Sequence, residues 1–191
     1  MLALLRPAFA SVGLFTLLLG LAYPLTITGV AQAAFPWQAN GSLLRHQGEV
    51  VGSVLVGQAF KDDAYLQGRP SAVDYDASGS GASNLGPTNP DLIAETMAHA
   101  GAWRASTGEA VVPADAVTAS ASGLDPHVSP ENALAQAPRI ARARGAAVEA
   151  VREVIADQVK GRTFGVLGQP RVNVLETNLA LDAAFVPTQP Q

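Results

Sequence analysis

The sequence predicts an α+β protein: a single N-terminal transmembrane helix followed by one small mixed α/β extracytoplasmic domain. Three observations predict it. No charged residue occurs from Pro7 to Leu44, so this stretch can enter hydrocarbon. Runs rich in β-branched residues at 41–60 and again near the C-terminus read as strands. Between them, apolar residues recur at helical spacing behind two Pro-acid helix starts. Strands, then helices, then a strand is an α+β order. The expected boundaries are 1–35 for a cytoplasmic stub and membrane helix, and 36–191 for the soluble domain.

The membrane helix comes first. Ala8 to Val30 reads AFASVGLFTLLLGLAYPLTITGV, about 23 residues, which at about 1.5 Å per residue span a hydrocarbon core of roughly 30 Å. Pro24 falls in its last third, where a membrane helix tolerates a kink. Phe35 and Trp37 suit the far interface as aromatic anchors. Arg6 precedes the apolar run and no Lys or Arg follows until Arg45. The positive-inside rule therefore places the N-terminus in the cytoplasm and the remainder outside. A cleaved signal peptide is the alternative, because Ala31-Gln32-Ala33 has the form of a cleavage site. The apolar run exceeds the roughly 7–15 residues usual for such a peptide, which favours the anchor.

Residues 41–60 read as two β segments around a Gln47-Gly48 turn, with Val50, Val51, Val54, Leu55 and Val56 supplying bulk. Residues 61–90 change character, and Ser78 to Pro90 is dense in Gly, Ser, Asn and Pro. That composition predicts irregular backbone in an unusually long loop. A helix follows, capped by Thr88 or Asn89, with Pro90 and Asp91 in its first turn and a stop before Gly108. Val111 to Pro126 reads as loop. Ser129-Pro130-Glu131 opens a second helix that Pro138 should break or kink and Gly145 should cap. A third is expected from Ala146 to Lys160, and Pro170 to Asp182 reads mostly as strand, with a leucine spacing that also suits a helix.

Composition narrows the function classes. Charged residues are 15% of the 191 and the net charge is −4, with a mean hydropathy of +0.20. Nucleic acid and anionic membrane surfaces are therefore poor candidates as main partners. The absence of cysteine excludes disulfides, Cys-based zinc sites and a Cys nucleophile. His46, His99 and His127 form no paired metal spacing, and no metal site or catalytic residue is expected. A Ser-His-Asp triad can be drawn from His127, Asp125 and Ser122 or Ser129, but no G-x-S-x-G elbow supports it. An anchored or secreted periplasmic hydrolase is thus the alternative class. Arg139, Arg142 and Arg144 read as a solvated helix face, or as a docking set for carboxylates or phosphates. Asp62, Asp63, Asp74 and Asp76 read as loop carboxylates, or as a cation-concentrating patch.

Three loop motifs carry a more specific signal: GRPSAVDYDASGSGASNLGPTNP (Gly68 to Pro90), VPADAVTASASGLDPHVSPENALAQAPRIARARG (Val112 to Gly145) and LGQPRVNVLETNLALD (Leu167 to Asp182). With GSVLVGQAF at Gly52 to Phe60 and the N-terminal helix, they closely resemble the C-subunit family of the Kdp potassium-transporting ATPases, in order and over almost the whole chain. The resemblance implies a non-catalytic accessory subunit in the bacterial inner membrane. Its partners would be a channel-like potassium-binding subunit, a P-type ATPase subunit and a small single-helix subunit. It also implies a role in assembly, and one as a catalytic chaperone that raises the ATP affinity of the hydrolysing subunit. No cofactor is implied beyond ATP through the complex. The matching nucleotide candidates are Ser120, Ser122, Gly123 and Gln136. The docking candidates are Gly68, Arg69, Pro70, Ser83, Asn84, Leu85, Gly86 and Asp125, since recognition is often carried by loops on a rigid scaffold. The charge-derived topology turns the domain away from cytoplasmic ATP, so a direct contact at Gln136 conflicts with it, whereas indirect coupling does not.

Overall fold

The computed structural model describes residues 2–185; Met1 and 186–191, the end of the expected soluble domain, lie outside the described residues. The chain divides between Leu43 and Leu44 into two compact units. The first holds a continuous apolar helix, Ala3–Ala34, of 32 residues, long and apolar enough to cross a membrane. It comprises α1 (Leu2–Phe15), a π-helical stretch (Thr16–Ala22) and α2 (Tyr23–Ala34). The π stretch leads up to Pro24, which lacks an N–H to donate. There the Tyr23 N–H reaches back to the Leu18 carbonyl, a wider register than the α-helical one. The hydroxyls of Thr26 and Thr28 donate to the carbonyls of Ala22 and Pro24 at 2.7 and 2.8 Å, so neither needs solvent. A short helix α3 (Pro36–Ala39) follows, with Phe35 exposed at its N-cap and Trp37 exposed within it.

The second unit starts with the expected hairpin, β1 (Leu43–His46) and β2 (Glu49–Ser53). Gln47 and Gly48 have φ of 51° and 90°, as a two-residue hairpin turn of matching twist requires. The second strand is shorter than expected. Val54 leaves the ladder because its carbonyl accepts from the Asn173 side chain instead.

Helix α4 (Pro90–Thr107) has the expected caps. The Asn89 side chain accepts from the Asp91 N–H, and Gly108 closes the helix at φ 78°. One turn of helix, α5 (Ala114–Val117), interrupts the segment read as loop. Strand β3 (His127–Val128) leads into α6 (Pro130–Ala135), capped by Ser129, and α7 (Ala137–Arg144), closed by Gly145 at φ 63°. The break falls at Gln136, two residues before Pro138, as that proline predicts.

Helix α8 (Val148–Asp157) stops short of the expected Lys160. Val159 and Lys160 instead form β4, paired antiparallel with Val172 and Arg171 of β5 (Arg171–Asn173). The C-terminal expectation needs the larger correction. Only Arg171–Asn173 is strand, and Val174–Ala184 is helix α9. The Asn173 side chain accepts from the Glu176 N–H at 3.0 Å, an N-cap that starts a helix wherever the following residues permit one.

The sheet order is β3-β5-β4, and helices α6 to α9 enclose the core with it. Ile140, Val151, Ile155, Val172 and Leu181 are all 0% exposed. Leu66 joins them from the long irregular stretch between β2 and α4.

Candidate functional site

Leu66 poses a physical question. It lies at 0% exposure in a segment with no strand or helix around it, and a buried backbone needs hydrogen-bond partners. Side chains supply them. Asn178 of α9 accepts from the Leu66 N–H at 2.7 Å and donates to the Leu66 carbonyl at 3.0 Å. Gln136 treats the next residue alike, accepting from the Gln67 N–H at 2.9 Å and donating to its carbonyl at 3.1 Å. Two primary amides thus replace two rungs of a β-ladder. The Arg139 guanidinium donates to the carbonyls of Asp63 and Tyr65 at 2.7 and 3.0 Å, and Arg144 Nε donates to Ala64 at 2.6 Å. From 63 to 67 the loop is strapped to α7 and α9 by buried side chains.

This corrects both readings of the arginine set. Arg139 and Arg144 are 4% exposed; they neither form a solvated face nor present themselves to a partner, and only Arg142 is exposed. Loop carbonyls and Asp182, which Arg144 Nη2 reaches at 2.8 Å, offset their desolvation. Burial pulls the pKa of Arg139 below its usual value, opposed by Asp63 and Asp62.

Gln136 itself is 4% exposed. Besides the Gln67 bonds, its Oε1 accepts from Arg139 Nη2 at 2.7 Å and its Nε2 donates to Asn132 Oδ1 at 2.9 Å. Both lone pairs and both amide hydrogens are therefore in use. Asn132 continues the network to Asp115, whose carboxylate also accepts from the Ser129 N–H and hydroxyl.

Above this strap two loops are zipped together. Arg69 pairs with Asp125 at 2.9 Å and donates to the Thr118 carbonyl. The Ser120 N–H donates to Pro70, the Ser71 hydroxyl to Gly123, and the Gly81 N–H to Ser122. Gly68, Arg69, Pro70, Ser120, Ser122, Gly123 and Asp125 are thus brought into one region, with Ser120 and Gly123 buried in it. Ser83, Asn84 and Gly86 lie exposed further along the loop, and Leu85 is half-buried.

Gly123 shows how tight the zipper is. It sits at φ 69°, and a Cβ there would stand 2.3 Å from Val73 Cγ2 and 2.9 Å from the Gly81 carbonyl. Gly123→Ala is expected to lower stability by about 2 kcal/mol, through strain and overpacking, read as a fall in the thermal midpoint.

The nucleotide candidates do not share a cavity. Gln136 lines an open groove of about 440 Å³ with Lys61, Arg69, Tyr75, His99 and Trp103. Ser120 and Ser122 line a different one beside Leu55, Val56 and Asp125. The Gly123 N–H is already engaged by the Ser120 carbonyl at 3.3 Å. Of the triad candidates, His127 and Asp125 lie side by side, while both serine hydroxyls bond elsewhere. His127 Nδ1 is 3.7 Å from Asp125, the Ser129 hydroxyl donates to Asp115, and Ser122 Oγ accepts from the Leu124 N–H. The loop carboxylates of Asp62 and Asp76 hold turns by accepting from the N–H groups of Ala64 and Ser78.

Partial burial pulls the Asp125 carboxyl upward, but the His127 imidazole, the His127 N–H and Arg69 together hold its pKa below the ordinary value. A lowered carboxylate stabilises the fold above its unfolded pKa, near 3.9, and that contribution is lost as pH falls through the folded value. Thermal midpoints below about pH 4 should therefore drop more steeply for the natural chain than for Asp125→Asn. Tyr75 is raised to about 12 by burial first and then by Asp125, with Arg69 opposing. Its phenol stays protonated and donates to the Arg69 carbonyl at 2.6 Å.

Comparison with known proteins adds the remaining constraint. Residues 5–183 match the family model described as KdpC, the c chain of K+-transporting ATPase. A potassium-transporting ATPase KdpC subunit of Caulobacter vibrioides is 57% identical over 194 aligned positions, covering 100% of this chain and 98% of the relative. The KdpC subunit of Caulobacter sp. strain K31 is 58% identical, covering 97% and 96%. That of Beijerinckia indica is 55% identical, covering 97% and 96%.

Proposed function

The chain belongs to the KdpC family, the c chain of K+-transporting ATPases, and from that premise we propose a non-catalytic assembly subunit of an ATP-driven potassium import complex. Its partners are the channel-like potassium-binding subunit, the P-type ATPase subunit and the small single-helix subunit. The helix within Ala3–Ala34 anchors it in the bacterial inner membrane. Arg6 lies on the cytoplasmic side and the folded domain faces the periplasm.

One observation supports this most strongly. Gln136, Asn178, Arg139 and Arg144 are engaged in ordering a loop surface, and none is directed at a reacting centre. A surface ordered from beneath suits docking, because little ordering entropy remains to be lost on binding. The subunit raises the ATP affinity of the hydrolysing subunit by coupling through the assembled complex, with no nucleotide contact of its own.

Protease treatment of oriented membrane vesicles tests the topology. The domain should be digested from the periplasmic side alone, whereas digestion only from the cytoplasmic side would overturn the reading. For docking, Ser83→Arg/Gly86→Arg alters exposed loop positions, with open space around a Cβ added at Gly86. It should reduce co-purification of the other subunits several-fold at unchanged thermal stability, an effect of the size that rim substitutions give.

A further inference from the structure

Residues 161–170, between β4 and β5, are exposed throughout, yet they are firmly built. Thr163 and Leu167 form an antiparallel bridge, with the Thr163 N–H on the Leu167 carbonyl at 2.9 Å and the reverse bond at 3.0 Å. Arg162 Nη2 braces the neck by donating to Gln169 Oε1 at 2.8 Å. The base rests on β5, where Val172 is 0% exposed. This rigid hairpin presents Phe164, Val166 and Leu167 at 90%, 72% and 60% exposure.

Phe164 is the informative residue. Its φ is +54°, a conformation that favours glycine or asparagine and is uncommon for a bulky side chain. Folding alone would be better served by glycine here, so the aromatic ring has another use. The tip is also locally basic. No Asp or Glu occurs between Asp157 and Glu176 in a chain of net charge −4, and Arg162 is bonded to a neutral amide. Proteins that conduct cations gather carboxylates at their mouths.

We infer that the 162–167 hairpin is a docking knob whose Phe164 ring enters an apolar pocket rimmed by carboxylates, on the cation-conducting subunit of the same complex. The inference rests on the assembly role proposed above. Phe164 and Leu167 supply the buried anchor, and Arg162 meets the acidic rim. A braced turn loses little freedom on docking, and an aromatic anchor with a flanking arginine is the composition enriched at interface hot spots.

The test uses the full chain expressed together with the other Kdp subunits. Phe164→Gly should leave the thermal midpoint of the free chain unchanged or raise it, because the left-handed strain is relieved. It should lower co-purification of the other subunits at least tenfold. A photoreactive benzoylphenylalanine placed at Phe164 should form its adduct with the cation-conducting subunit. Undiminished co-purification of Phe164→Gly, or an adduct with another subunit or with lipid alone, would overturn the inference while leaving the assembly role standing. A natural chain that recovers no other subunit would overturn both.

Discussion

Arg144→Leu is expected to lower the unfolding free energy by about 3–5 kcal/mol, the range for breaking a buried ion pair. For a domain of this size the melting temperature should then fall by on the order of 10–15 °C. The side chain is 0% exposed, and its guanidinium makes four bonds to two parts of the domain, the loop and the end of α9. It donates to Ala64 in the loop, to Leu181 and Phe185 at the end of α9, and to Asp182. The Phe185 bond also satisfies a carbonyl that the helix end leaves open, while the Leu181 carbonyl takes Arg144 in addition to the Phe185 N–H. Above it the Tyr65 ring lies 4.9 Å from the guanidinium carbon, a cation–π contact that needs the ordered loop. Leucine keeps most of the volume, so the loss reports broken bonds more than an empty cavity. Arg144→Lys should recover little, because an ammonium cannot reach Ala64, Leu181 and Asp182 together as the planar fork does. Thermal unfolding of the full chain in detergent, followed by circular dichroism, measures both variants. Midpoints matching the natural chain would sink the strap and return Arg144 to the surface.

That prediction could not have been made from the sequence, for a physical reason. Capping chemistry is local, and local rules read it well: Asn89-Pro90, Ser129-Pro130, Gly108 and Gly145 all stand where helix ends were expected. The Gln47-Gly48 turn is equally local. Asn173 obeys the same rule, yet the Val172-Asn173-Val174 pattern also fits a strand, and the cap decides only once the Val54 carbonyl holds the Asn173 amide. The strap is nonlocal. Gln67 and Gln136 lie 69 residues apart, and Leu66 and Asn178 lie 112 apart. Nothing in RIARAR tells a solvated arginine from one bonded to distant carbonyls. One signal was available: Leu66 is an apolar residue inside a polar irregular stretch, and burying it demands partners for its backbone. The Phe164 hairpin escaped notice because a single aromatic beside glycines reads as an ordinary turn.

Gln136→Ala is expected to destabilise the domain by about 2–4 kcal/mol, since each buried polar group left unpaired costs about 1–3 kcal/mol and relaxation recovers part of the total. The groups stranded are the Gln67 N–H and carbonyl and one Arg139 N–H, while Asn132 Oδ1 loses one of its two donors and keeps the Trp103 indole N–H at 3.4 Å. Gln136→Glu separates the two roles this residue can have. Glutamate keeps the acceptors for Gln67 and Arg139 but loses both donors, so it should be intermediate in stability, with its charge held against Arg139. If the carboxamide is structural, millimolar ATP should leave the melting temperature of the natural chain and of both variants unchanged. A ligand that bound the folded chain at 100 times its dissociation constant would instead add about 2.7 kcal/mol. A shift with ATP in the natural chain that Gln136→Glu abolishes would restore a direct nucleotide contact. It would also require the four bonds at Gln136 to open, so hydrogen exchange at the Gln67 amide should quicken with ATP in the same experiment. Slow exchange at Gln67, indifferent to ATP, is the expected result, because the Gln136 side chain holds the loop.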